Sequence, residues 1–218
     1  MPIAVREAGI WAEGHFRVFI THLSGHKHAA ALLKQNLAEH YVSSFVAHSD
    51  IKPTREWENE ILRAVSSGDA LVAMMHKGFH ASKWTDQELG IAIGRGLLVV
   101  SLDYGETPYG FIGRYQALPA RGKSYDQIAD ELYEIFVNHP QTAKRMAEAQ
   151  VHRFSESYNF ENAKRNMTRL EALQYWDDDL SRLARKAVKD NAQLSQSWGV
   201  PNRLDNLIRK WRLAGIPF

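Results

Sequence analysis

The sequence contains no cysteine, and its longest apolar runs are short. Without cysteine the protein has no disulfide scaffold, no thiolate zinc ligand and no thiol nucleophile. The run from Leu97 to Leu102 is far below the ~20 residues that a membrane-spanning helix needs. The first fifteen residues lack a basic start followed by an apolar stretch, so we expect no signal peptide. These absences predict a soluble, cytoplasmic protein with no membrane partner.

Several motifs of hydrolases and nucleotide-binding proteins are also missing. The chain has neither a GxSxG nucleophile elbow nor an HExxH zinc motif. Gly122-Lys123-Ser124 resembles the end of a phosphate-binding P-loop, but Ala117 stands where that motif requires glycine. We therefore interpret this segment as a loop before a helix.

The charge is divided unevenly along the 218 residues, whose formal net charge is +2. Residues 1–138 carry 13 basic and 16 acidic side chains, whereas residues 139–218 carry 14 and 9. β-rich runs also stop near Pro140. We therefore predict three parts, namely an N-terminal segment (1–15), an α/β domain (16–138) and a helical extension (139–218).

The first part alternates β-rich runs with helical patterns. Candidate strands are 17–21, 44–47, 70–75, 97–102 and 115–118, and candidate helices are 29–37, 57–67, 84–95 and 125–137. Strands that alternate with helices predict a parallel sheet with helices on both faces. The third strand and the fourth are continuous apolar runs, as expected for strands buried on both faces.

The extension is predicted to form three or four helices. One series of apolar residues falls near helical spacing: Leu170, Leu173, Trp176, Leu180, Leu183 and Val188. The acidic run Asp177–Asp179 is followed by Arg182 and Arg185, so charges of both signs share the predicted helix. This mixture favours a solvated helical face and predicts no nucleic-acid partner.

Histidine is concentrated at the N-terminal end, with eight of ten in the first 80 residues. His22, His26 and His28 follow the first strand. His26 and His28 are two positions apart and point away from each other on a helix, so we predict no metal site. His22 alone lies at the carboxyl end of a strand, where doubly wound sheets bind ligands.

The most informative segment is Ser82–Gly96, in which Trp84 and Glu88 are four positions apart and share a helical face. A structural interpretation is available, because Thr85-Asp86-Gln87-Glu88 fits the capping box that closes a helix N-terminus. Alternatively, Ser82 is the cap and Glu88 lies one turn further in. The spacing by itself favours a structural role for Glu88.

Three motifs occur in order along the chain: Phe19–His22 at the first strand, Asp50–Pro53 after the second, and Trp84-xxx-Glu88 after the third. Together with the buried strands, they resemble a TIR (Toll/interleukin-1 receptor) domain of the bacterial type over residues 16–138. The resemblance implies a flavodoxin-like fold with a five-stranded parallel sheet. The all-helical C-terminal extension lies outside it.

For many bacterial members, the resemblance also implies cleavage of NAD at the nicotinamide–ribose bond. Glu88 matches the catalytic glutamate of the family, and Trp84 matches the residue one turn before it. Thr21 and His22 match positions that line the cleft, although serine and an aromatic are more frequent there. The segment from Asp50 to Trp57 matches a loop over the nicotinamide side, and Trp57 matches an aromatic that contacts adenine in some members. NAD is then a substrate, and no cofactor is expected.

The expected activity is that of an NAD glycohydrolase or cyclase, which releases nicotinamide and ADP-ribose or a cyclic or variant ADP-ribose signal. By family association it would serve bacterial anti-phage immunity of the Thoeris kind, through a homo-oligomer held by TIR–TIR contacts and an effector that responds to the product. The alternative is a non-enzymatic scaffold or adaptor that acts by TIR–TIR association, including mimicry of host signalling. A phosphoacceptor receiver domain is disfavoured because the third strand ends in Met74-Met75-His76, without the required aspartate.

Overall fold

The computed structural model describes residues 9–46 and 57–214. The chain divides into two compact units, Met1–Glu134 and Ile135–Phe218. In the described residues, the sheet belongs to the first unit, and the second unit is helical. No helix of these residues combines the length and the apolar composition needed to cross a membrane.

The first unit is built around five strands. They are β1 (Phe16–Thr21), β2 (Val42–Val46), β3 (Ala70–His76), β4 (Leu98–Tyr104) and β5 (Leu118–Pro119). All four ladders are parallel, and the strand order is β2-β1-β3-β4-β5. The expected five-stranded parallel sheet is confirmed. This order places β1 beside β3, so the carboxyl ends of two central strands meet at one edge.

Helices follow strands β1, β2, β3 and β5. They are α1 (Lys27–Ala38), α2 (Trp57–Ser67), α3 (Lys83–Gly94) and α4 (Tyr125–Asn138), with short 3₁₀ helices at Ser24–His26, Phe79–Ala81 and Gly110–Ile112. α1 buries Ala30, Leu33 and Leu37, the face that the helical spacing predicts.

The core lies between the sheet and these helices. All residues of β3 except the last, His76, are buried, as expected for a central strand covered on both faces. Phe19 and Phe45 are direct partners in the β1–β2 ladder, and their rings stack with centroids 5.6 Å apart. This packing fixes the strand ends, and the side chains that project from those ends inherit well-defined positions.

The fifth strand differs from the sequence prediction, which placed it at 115–118. The structure has only Leu118–Pro119 in the ladder. Tyr115 is instead in a turn, since its N–H donates to the Ile112 carbonyl. A backbone N–H that is bonded within a turn is not available to a neighbouring strand.

The second unit contains α5 (Ala143–Ser155), α6 (Phe160–Glu171), α7 (Asp178–Asp190), α8 (Ala192–Ser195) and α9 (Val200–Ala214). The helical extension is confirmed, but it has five helices within the described residues, one of them only four residues long. The apolar series from Leu170 to Val188 does not form one face. Asp177 interrupts it by accepting the N–H of Leu180 at 2.8 Å and so starting α7, which leaves Leu183 52% exposed.

Candidate active site

Glu88 lies in the second turn of α3, with its side chain directed inward. Ser82 is the N-cap of this helix, and its hydroxyl accepts the N–H of Thr85 at 3.4 Å. Glu88 therefore does not belong to a capping box, and of the two local alternatives the structure selects the cap at Ser82. The glutamate is only 5% exposed. A carboxylate buried without a capping role requires another partner.

That partner is Thr21, the last residue of β1. Its hydroxyl donates to Oε2 of Glu88 at 2.5 Å, and Thr21 itself is 1% exposed. The bond joins the end of a central strand to the helix that follows β3. It fixes the orientation of the carboxylate at the carboxyl edge of the sheet, where ligands bind in open α/β proteins.

The environment of Glu88 shifts the pKa of its carboxyl group towards neutral pH. Burial raises the pKa of the carboxyl from 4.5 to about 7, while the hydrogen bond from Thr21 acts in the opposite direction. The glutamate thus changes between its neutral and its charged form close to pH 7. Such a shifted carboxyl group in a cleft is typical of a functional site.

Glu88 lines a cavity of about 120 Å³. One wall consists of Ser82, Trp84, Thr85 and Glu88 from the start of α3, and the facing wall consists of Ile20, His22, Leu23 and Ser24 from the end of β1 and the segment after it. Pockets for drug-sized ligands occupy about 300–1,000 Å³. The cavity is therefore of a size for one ring or sugar of a larger ligand.

Trp84 and His22 contribute to opposite walls. Trp84 is 39% exposed and lies one helical turn before Glu88, and both residues line the cavity. His22 is buried, and its Nδ1 lies 2.8 Å from the Leu23 carbonyl oxygen. Because a carbonyl only accepts, Nδ1 carries the proton, and the imidazole is held in one orientation.

The structure thus brings together four of the six predicted site residues: Thr21, His22, Trp84 and Glu88. Asp50 and the side chain of Trp57 lie outside the described residues. Their substrate-binding roles remain predictions from the family resemblance.

Sequence reasoning missed the residues that hold α3 in place. Glu106, after β4, accepts the N–H groups of Gly78 at 2.6 Å and His80 at 3.0 Å, and it also pairs with Nδ1 of His80. These contacts fix the turn that leads into α3, where Gly78 adopts a φ of 91°. Because a positive φ favours glycine, the presence of Gly78 in the sequence is a local signal of this tight turn.

A second contact joins the same loop to the helix itself. The hydroxyl of Tyr109 donates to Oδ1 of Asp86, two residues before Glu88. The partners are 23 positions apart, and no sequence pattern links them. The start of α3 is therefore held by the cap at Ser82, by Thr21 and by the loop that follows β4.

Among residues 9–46 and 57–214, no group of three or more His, Cys, Asp or Glu side chains is arranged to hold a metal ion. Of the imidazoles after β1, that of His22 contacts the Leu23 carbonyl oxygen, and that of His26 stacks on His76 with ring centroids 3.5 Å apart.

The fold and the site define a class of protein before any comparison. A parallel sheet in the order 2-1-3-4-5 is the flavodoxin-like arrangement, and its ligand site lies at the carboxyl edge of the strands. The sequence model of the family described as TIR domain matches residues 18–133, more than half of the chain. The protein belongs to the TIR domain family.

One solved structure that matches the chain is that of the TIR domains of the activated Roq1 resistosome directly recognising the pathogen effector XopQ. The sequence identity is 18%, the match covers 80% of this chain and 98% of that one, and the TM-score is 0.39. No curated protein matches the sequence.

Proposed function

We propose that the protein cleaves NAD at the nicotinamide–ribose bond, with Glu88 as the catalytic carboxylate. The observation that carries the proposal is the buried Glu88, held by Thr21 and exposed to a cavity that Trp84 flanks. Family membership adds support, because this reaction is what the resemblance of Trp84 and Glu88 to the TIR motif implies.

The chemistry suits a single carboxylate. When the C–N bond breaks, its electron pair stays on the nicotinamide nitrogen, and nicotinamide leaves as a neutral molecule that needs no proton. The ribose becomes an oxocarbenium-like cation, as in glycoside cleavage. A negative charge in a site with little water stabilises such a cation far more than it would in bulk solvent.

Several nucleophiles can then complete the reaction. Attack by water at the ribose carbon, with loss of one proton, gives ADP-ribose. Attack by the adenine or a ribose hydroxyl of the same molecule gives a cyclic product, and attack by another base gives base exchange. Trp84 offers an aromatic surface beside the reacting region, on which a planar ring can pack.

The proposal is tested by incubating the full chain with NAD and resolving the products by chromatography and mass spectrometry. We expect release of nicotinamide, and the mass of the second product separates hydrolysis from cyclisation by one water. Glu88→Ala, run in parallel, excludes a contaminating NADase. Intact NAD in both dilute and highly concentrated, crowded samples would contradict the enzyme and favour the scaffold.

The biological role is proposed on family association alone. The product would be a signal in bacterial anti-phage immunity, made by a homo-oligomer held through TIR–TIR contacts. Sedimentation of the purified protein with and without NAD tests the association. A strict monomer that cleaves NAD at full rate would contradict the oligomer and leave the catalytic proposal intact.

The pH dependence of the reaction follows from the raised pKa of Glu88. If the charged carboxylate stabilises the cation, kcat/KM rises with pH through a midpoint of about 7. Thr21→Val removes the hydrogen bond that lowers the pKa, so the midpoint should move upward. The measurement is a pH–rate profile of both proteins from about pH 5 to 9, and identical midpoints would contradict the assignment.

A further inference from the structure

Three aromatic rings stack at the carboxyl edge of the sheet, outside the pocket itself. The imidazoles of His26 and His76 are nearly parallel, with centroids 3.5 Å apart and an interplanar angle of 4°. The ring of Tyr104 also stacks on the imidazole of His76, with centroids 4.3 Å apart and an angle of 12°. We name His26, His76 and Tyr104 the ring stack.

The ring stack joins three elements that are remote in sequence. His76 is the last residue of β3 and Tyr104 the last of β4, and the two are register partners in the ladder. Both are therefore fixed by the core of the sheet. His26 belongs instead to the 3₁₀ helix Ser24–His26, in the connection between β1 and α1.

That connection forms one wall of the pocket. His22, Leu23 and Ser24 face the start of α3 across the cavity. The N–H of His26 donates to the Leu23 carbonyl at 2.8 Å, and Nδ1 of His22 contacts the same oxygen at 2.8 Å. The wall is thus a compact turn, and His26 is directly tied to it.

Within this turn, the 3₁₀ helix has few anchors of its own. None of its three residues is buried, and its N-cap residue, Leu23, makes no side-chain capping bond. Stacking on His76 joins the 3₁₀ helix to the end of β3. Two stacked imidazoles are stable only when at least one of them is neutral, because two positive charges at this distance repel each other.

The surroundings keep the central rings neutral. Burial, followed by the nearby His26 and His22, lowers the pKa of His76 to about 4. Burial, followed by Tyr125, raises the pKa of Tyr104 to about 12. At neutral pH the rings of His76 and Tyr104 therefore carry no charge, which favours stacking.

We propose that the ring stack positions the pocket wall His22–Ser24, so that His26 and His76 are positioning residues for the reaction at Glu88. This inference rests on the proposed NAD cleavage for its effect on rate. Glu88 is held by Thr21, and neither residue belongs to the ring stack, so loss of the stack loosens one wall while this bond stays in place. Weaker substrate binding follows, with little change in the chemical step.

The test compares His26→Ala with His26→Phe, whose ring can still stack. The matched control is His28→Ala, which removes an exposed imidazole two positions away. Hydrogen exchange at the amides of residues 23–26 reports the order of the wall without any substrate. We expect faster exchange in His26→Ala, and exchange close to the wild type in the other two variants.

Kinetics give the second readout. His26→Ala should raise KM about tenfold with kcat within about threefold, the size expected for loss of one stacking contact. Its pH–rate midpoint should not move, because Glu88 keeps its environment. His26→Phe should restore KM, and His28→Ala should not change it.

Unchanged exchange in His26→Ala, or failure of His26→Phe to restore both readouts, would overturn the positioning role. A fall in kcat with unchanged KM would also overturn it. Failure of the wild type to cleave NAD is a different result, since it contradicts the proposed function, and the exchange data still decide whether the stack anchors the wall.

Discussion

Glu88→Gln is expected to reduce NAD cleavage by about 100- to 1,000-fold, the loss typical of removing one group that stabilises a charged transition state. The amide has the shape of the carboxyl group, and its oxygen still accepts the hydrogen bond from Thr21. The fold and the cavity are therefore preserved. What disappears is the negative charge that would face the ribosyl cation.

The matched control is Asp86→Asn, which makes the same chemical change two positions away on the exposed side of α3. The asparagine oxygen can still accept from Tyr109, so the contact that holds the start of α3 is weakened rather than lost, and this variant should remain within about threefold of the wild type. The measurement is nicotinamide release at saturating NAD. Equal losses in the two variants, or more than a tenth of wild-type activity in Glu88→Gln, would contradict the catalytic assignment.

The same substitution should stabilise the protein at alkaline pH by up to about 3 kcal/mol. The pKa of Glu88 is 4.5 as a free group and about 7 in the fold, a difference that corresponds to about 3 kcal/mol. Between these values the folded chain holds a proton that the unfolded chain has lost. The wild-type free energy of unfolding therefore falls as the pH rises from about 4.5 to 7, and this loss is absent in Glu88→Gln.

Urea unfolding at about pH 4.5 and pH 8 measures the effect. At the lower pH the two proteins should differ little, because Glu88 is protonated in the fold and still about half protonated in the unfolded wild type. At the higher pH the variant should be the more stable. The carboxylate that Asp86→Asn removes is exposed, so this variant should follow the wild type at both pH values. Parallel curves for the wild type and Glu88→Gln would show that burial does not raise the pKa of Glu88.

Together, these two results separate function from structure at one residue. If Glu88 served as a helix cap, the protein would become less stable when the charge was removed, because charge-assisted capping bonds are favourable. If Glu88 is instead retained for catalysis, its substitution lowers the activity of the protein and raises its stability. Ser82 already caps α3, so the structure favours the second outcome.

Much of the fold can be predicted from local patterns. A continuous apolar run predicts the buried strand β3, and the 3.6-residue period predicts the inward face of α1. The run at 97–102 predicts the position of β4, but only Val100, Ser101 and Leu102 of this strand are buried. The prediction is poorer where a few polar contacts decide the boundary. β5 is a two-residue strand after a turn, and Asp177 starts a new helix within an apolar series that has the spacing of one helix.

For the site, the sequence by itself determined that Trp84 and Glu88 share a helical face and that His22 follows a strand at the ligand-binding edge. The roles of Asp50 and Trp57 remain predictions. Only the tertiary structure decided between the two caps of α3, and only it paired Thr21 with Glu88 across 67 positions and stacked His26 on His76. The reason is physical: helical periodicity and capping depend on neighbours in the chain, whereas burial, a shifted pKa and ring stacking depend on which strands lie side by side.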